Sequence, residues 1–118
     1  MANPNIVSVT SIYGKVAGLA VTGSATAIVT NSSGSNKILK INTLIASNIS
    51  GTNGWVTVDV YKNATTAFEI AFQITVPTNS SLNVIGGSSI YLEENDSLRL
   101  TANASSVIEA VVSYEEIG

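Results

Sequence analysis

Glu93-Glu94-Asn95-Asp96 is the densest run of oxygen ligands in the chain. Carboxylate and amide oxygens are what a hard cation such as Ca²⁺ takes. The run lacks the alternating acidic spacing of an EF-hand loop, and in an extended chain Glu93 and Glu94 point to opposite sides. A solvated polar turn accounts for the same residues, with Glu93 placed to pair with Arg99 across a hairpin. Trp55, Asp59 and Tyr61 form the second group with chemical reach. Their even spacing puts them on one face of a strand. Aromatic rings beside a carboxylate can stack on a sugar and hydrogen-bond it. The same residue types are favoured where protein surfaces meet. Subunit contact and glycan binding are both open readings of this trio.

Catalysis has little else to draw on. The chain contains no His and no Cys. That removes the commonest general base, the thiolate nucleophile and the usual transition-metal ligands. The eight acids are scattered, and Glu115-Glu116 reads as a solvated strand end. Glycoside hydrolysis needs two acids converging at roughly 5–9.5 Å in a cleft, and no such pair can be nominated. No Walker loop, nucleophile elbow or dinucleotide fingerprint is present. The expectation is a protein that is not an enzyme, with no catalytic residue, cofactor or metal.

The elements that must position these residues read as strands. Val, Ile and Thr dominate, and these β-branched residues favour extended backbone. From Trp55 to Lys62, Val56, Val58 and Val60 alternate with Trp55, Thr57, Asp59 and Tyr61. From Ala67 to Val76, Phe68, Ile70, Phe72 and Ile74 form one apolar face, and Pro77 ends the run. The stretch Lys37 to Asn48 is long and mixed, with Leu39, Ile41, Thr43 and Ile45 on one face and Ile38, Lys40, Asn42, Leu44 and Ala46 on the other, which suggests a bulge or a switch of sheets. Ile108, Ala110, Val112 and Tyr114 share a face near the C-terminus. Ile90 and Leu92 enter the acidic turn, and Leu98 and Leu100 leave it. Turn formers such as Ser32-Ser33-Gly34-Ser35, Gly51-Thr52-Asn53-Gly54 and Gly86-Gly87 recur between the runs. Short strands at such spacing predict an all-β antiparallel sandwich, jelly-roll-like, of about eight strands. The expected core is Val56, Val58, Val60, Phe68, Ile70, Phe72, Ile74, Leu92, Leu98, Leu100, Ile108 and Val112. With Phe72 buried, Phe72→Ala would cost about 3–5 kcal/mol.

At 118 residues the chain suits one domain. Residues 1–14 read as an arm or edge strand, and 15–118 as the sandwich. Charged residues are only 11% of the chain, against roughly 25% in typical soluble domains. Mean hydropathy is +0.35. Such a surface suits a chain covered by partners, since little charge repulsion keeps copies apart. Ile6, Val7, Val9, Ile12 and Tyr13 of the arm, with Trp55, Asp59 and Tyr61, are the candidate interface. The net charge is −3, and the five basic residues do not converge, so no nucleic-acid partner is expected. No run approaches the length needed to span a bilayer, so no membrane partner is expected either. No basic and apolar leader is visible at Met1-Ala2-Asn3-Pro4-Asn5, which predicts synthesis in the cytoplasm. Asn-x-Ser/Thr sequences, as at Asn31 and Asn48, then follow from composition alone.

Asn5 to Lys15 (Asn-x-x-Ser-Val-Thr-Ser-Ile-Tyr-Gly-Lys), Ile90 to Arg99 and Val111 to Ile117 resemble small structural proteins of tailed bacteriophages, especially those of marine and cyanobacterial hosts. The family usually has Gly where this chain has Asn95, which keeps the turn chemistry. The resemblance covers both ends. It implies a virion component of the capsid decoration or cement type, made in the host cytoplasm. Its implied partners are its own copies, most simply as a homotrimer, and the major capsid protein or another virion protein. No enzymatic residue carries over. A carbohydrate-binding module at a tail or fibre is the alternative.

Overall fold

The computed structural model describes residues 3–118. The alternating runs become nine strands: β1 (Ile12–Ala20), β2 (Thr26–Thr30), β3 (Ile38–Asn48), β4 (Gly54–Lys62), β5 (Thr66–Val76), β6 (Ser81–Ile85), β7 (Ile90–Leu92), β8 (Ser97–Ala102) and β9 (Ile108–Ile117). All pairs are antiparallel. β1 pairs with β9, β2 with β8, β3 with both β6 and β7, and β4 with β5. First strand meets last and second meets second-last, as in one long hairpin folded over on itself. β9 also pairs with β3, and β8 with β4. The result is two facing sheets, β1-β9-β3-β6 with β7 beside β3, and β2-β8-β4-β5. This is a jelly-roll sandwich, and the three-residue β7 brings the expected eight strands to nine. No helix of the described residues is long and apolar enough to cross a membrane.

The core fills from both sheets. β4 supplies Val56 and Val58, β8 Leu98 and Leu100, β9 Ile108, Ala110 and Val112, and β7 Leu92, all buried. β3 supplies Leu39 and Ile41, then Leu44 and Ala46. Odd and even positions can share one core because the β3–β9 register shifts between Ile41 and Thr43. A bulge there turns the second half of the strand over.

Two expectations need correction. Glu93-Glu94-Asn95-Asp96 is not the tip of a hairpin. β7 lies in one sheet and β8 in the other, so the turn carries the chain across the sandwich. Leu92 and Leu98 then meet the core from opposite sides. The second correction concerns β5. Phe68, Ile70, Phe72 and Ile74 were expected inside but are exposed, and Val60 is only half-buried. Phe68 and Ile74 do keep core-side register, opposite Val60 and Val56. β5 is the last strand of its sheet, however, and the strands on that flank of the facing sheet are the five-residue β6 and three-residue β7. Two register shifts also break the row: Ala71 takes the core-side place opposite Val58, so Ile70 and Phe72 do not share the face of Phe68 and Ile74, and among the described residues no strand covers any of the four.

Two buried asparagines tie the loops down. Asn48 donates from Nδ2 to the carbonyls of Thr52 and Val76, both at 2.8 Å, and its Oδ1 accepts from the Ser50 N–H. Asn31 donates to the Lys37 and Leu92 carbonyls and accepts from the Ser35 hydroxyl. Each side chain replaces backbone bonds the loops lack, as buried polar groups require. Asn48→Ala would strand two carbonyls at about 1–3 kcal/mol for each one left dry. A loss of about 2–4 kcal/mol in denaturant unfolding is expected.

Candidate functional site

The acidic turn is built into the protein through its own donors. Asp96 is buried. One oxygen accepts the Asn63 N–H at 2.8 Å, and the other accepts Lys62 Nζ at 2.9 Å and the Glu93 N–H at 3.0 Å. Glu94 accepts the N–H groups of Gly34 and Asn36, which fixes the Ser32–Ser35 loop. Glu93 accepts Lys62 Nζ at 2.7 Å and the Asn3 amide at 2.8 Å. These oxygens hold two loops and the start of the arm together. The expected Glu93–Arg99 pair does not form: Glu93 pairs with Lys62, and Arg99 with Asp59.

These ion pairs set the pH response. Lys62 holds the Glu93 carboxyl below its ordinary value, with help from Asn3. Lys37 does the same for Glu116, which also takes Lys15 at 3.4 Å. Glu93, then Asp96, raises the Lys62 ammonium above its ordinary value. A lowered carboxyl stabilises the fold above its unfolded pKa of 4.5, and the gain is lost as pH falls through the lower folded value. A raised ammonium stabilises below 10.5 and is lost above it. The chain has no histidine. Melting temperature should therefore be flat from about pH 5.5 to 9 and fall on the acid side. A midpoint transition near pH 6.5 would contradict this assignment.

Trp55, Asp59 and Tyr61 do share the outer face of β4, but Arg99 of β8 lies among them. Its Nε donates to Asp59 Oδ1 at 2.9 Å and its Nη2 to Oδ2 at 3.3 Å. The guanidinium carbon sits 3.8 Å above the Tyr61 ring centre. Arg99 thus occupies both the carboxylate and the ring face that a sugar would use. Asp59 is buried, while Trp55 and Tyr61 stay half-buried.

The free surface with most apolar character lies at two strand edges. β1 pairs with β9 alone, and β5 with β4 alone. β1 stacks over β2 and β5 over β6, so the two edges lie on opposite flanks of the sandwich. On the first flank, Ile12, Tyr13 and Val16 are exposed; in the arm, which reaches back to Glu93 through Asn3, Ile6 is exposed, Val7 is 89% exposed and Val9 is half-buried. On the second, Phe68 and Phe72 are 61% and 63% exposed, with Ile70 and Ile74 beside them. The structure brings Ile12 and Tyr13 together on β1, with Ile6, Val7 and Val9 in the arm just before it. Trp55, Asp59 and Tyr61 form a separate patch on β4. The exposure of β5 was missed because alternation reveals neither the bulges that break it nor what covers a face.

The fold has known counterparts. A protein of Bacillus endospore appendages, described as disulfide-linked pili, superposes with a TM-score of 0.57 at 17% identity, over 99% of this chain and 96% of that one. Two crystal structures of a pentameric capsid protein from metagenomic phage sequences superpose more loosely. Their TM-scores are 0.44 and 0.42 at 15% and 16% identity, over 86% of this chain and 67% and 60% of theirs. The first likeness establishes a shared fold, and the other two carry no argument. This chain, lacking cysteine, has no disulfide of its own to offer. No family model and no curated protein matches the sequence.

Proposed function

We propose that this chain is a non-enzymatic structural subunit of a tailed-phage virion. It assembles with its own copies and decorates the shell, binding the major capsid protein or a neighbouring virion protein. The observation that carries this reading is the pair of exposed apolar strand edges in a domain that is only 11% charged. Edges of that kind are normally blunted in monomeric proteins, and apolar patches of that kind mark contact sites. The resemblance of both termini to phage structural proteins supplies the virion setting and favours a trimer. Arg99, seated on Asp59 and Tyr61, speaks against the glycan-binding alternative.

The test is attachment. Purified chain should co-sediment with capsids stripped of it, and removal of residues 3–10 should weaken binding. Glycan binding through Trp55 with no affinity for capsids would replace this reading with the carbohydrate-binding one.

A further inference from the structure

β5 runs eleven residues, ~37 Å at the rise of an antiparallel strand, with a free edge along its length. It carries one charge, Glu69, and no proline. Its register against β4 shifts twice, on either side of Val58, so the strand is bulged between Glu69 and Ile74 and regular at its two ends. Gln73 takes a left-handed φ of 46°, and its N–H turns back to the Thr57 hydroxyl on β4 at 2.9 Å. Each phenylalanine can bury about 150–250 Å². Ile70 and Ile74 beside them are exposed too.

The opposite flank has the complementary character. β1 is nine residues long with a free edge. Its one charged residue is Lys15, opposite in sign to Glu69. Lys15 is 45% exposed, and its bond to Glu116 is the longer of that carboxylate's two. Exposed Ile12 and Val16 on β1 offer apolar side chains to a partner strand. A two-fold β5–β5 contact would leave the β1 flank uncovered.

We propose that the occupant of the β5 edge is β1, with its preceding arm, of a second copy of this chain. The inference rests on the homo-oligomeric reading above. The contact is head to tail: each copy presents one donor edge and one acceptor edge on opposite flanks. Such heterologous contacts close into a ring when the rotation permits, and the trimer is then a ring of three.

The experiment is a mixing test on the full chain by light scattering. One variant carries Phe68→Lys and Phe72→Lys, blocking the acceptor. The other lacks residues 3–10 and carries Ile12→Lys and Val16→Lys, blocking the donor. Each alone should be monomeric near 12.2 kDa. Mixed, they should form a one-to-one dimer of about twice that mass, since one good edge of each kind remains. If the Lys variant does not fold by circular dichroism, Phe68→Ser with Phe72→Ser takes its place. Unchanged oligomer size in the β5 variant overturns the proposed contact while leaving self-assembly intact. A dimer formed by the donor-blocked variant alone overturns it in favour of two-fold β5 pairing. A wild-type chain that is monomeric throughout removes this contact and the homo-oligomeric reading together.

Discussion

Leu44→Ala should cost about 3–5 kcal/mol in unfolding free energy, and Phe72→Ala less than about 1 kcal/mol. The two side chains are comparably apolar but differ in what surrounds them. Leu44 is fully buried where β3 lies between β9 and β6. Its truncation removes packing from both sheets and leaves a cavity that the rigid strands cannot collapse into. Phe72 is 63% exposed on an edge, so its removal takes little from the isolated fold. Its loss should instead appear in assembly. Denaturant titration at low protein concentration measures both costs. A Phe72→Ala penalty of 3 kcal/mol or more in the monomer would restore β5 to the core.

The second large effect concerns Arg99. Arg99→Met keeps the length of the side chain but leaves the Asp59 carboxylate, with 5% of its side chain accessible, without its bidentate partner. Breaking a buried pair on one side costs about 3–5 kcal/mol, because the remaining charge stays desolvated. The lower end is expected here, since the Arg99 side chain is 22% accessible and water can partly replace it. Arg99→Met combined with Asp59→Leu should recover most of the loss, as paired apolar replacements often do. A double variant as unstable as the single one would show that the guanidinium acts through its packing on Tyr61 instead.

Much of the sandwich was legible because period-two alternation is a local signal. Val56 and Val58, Leu98 and Leu100, and Ile108 through Val112 declared their inner faces within single runs. The mixed pattern of Lys37 to Asn48 signalled a bulge or a switch of sheets, but not its place, which is between Ile41 and Thr43. What was not legible depends on residues far apart in sequence. Nothing within Ala67 to Val76 tells whether the strand lies at the centre or the edge of a sheet. That is decided by the sheet order β2-β8-β4-β5, and the bulges in the β4–β5 register then turn Ile70 and Phe72 away from the core side. Arg99 was assigned to nearby Glu93, whereas the β4–β8 register sets it directly beside Asp59. The turn at Glu93–Asp96 looked solvated because its donors come from elsewhere: Lys62 and Asn63 at the end of β4, and Gly34 and Asn36 after β2.

Self-association is the central claim, and the mass of the wild-type chain in solution tests it most directly. Multi-angle light scattering at tens of micromolar should return about three times 12.2 kDa, with dissociation on dilution and little response to salt, because the edges are apolar and each carries one charge. A mass of 12.2 kDa that holds at every concentration would contradict the account.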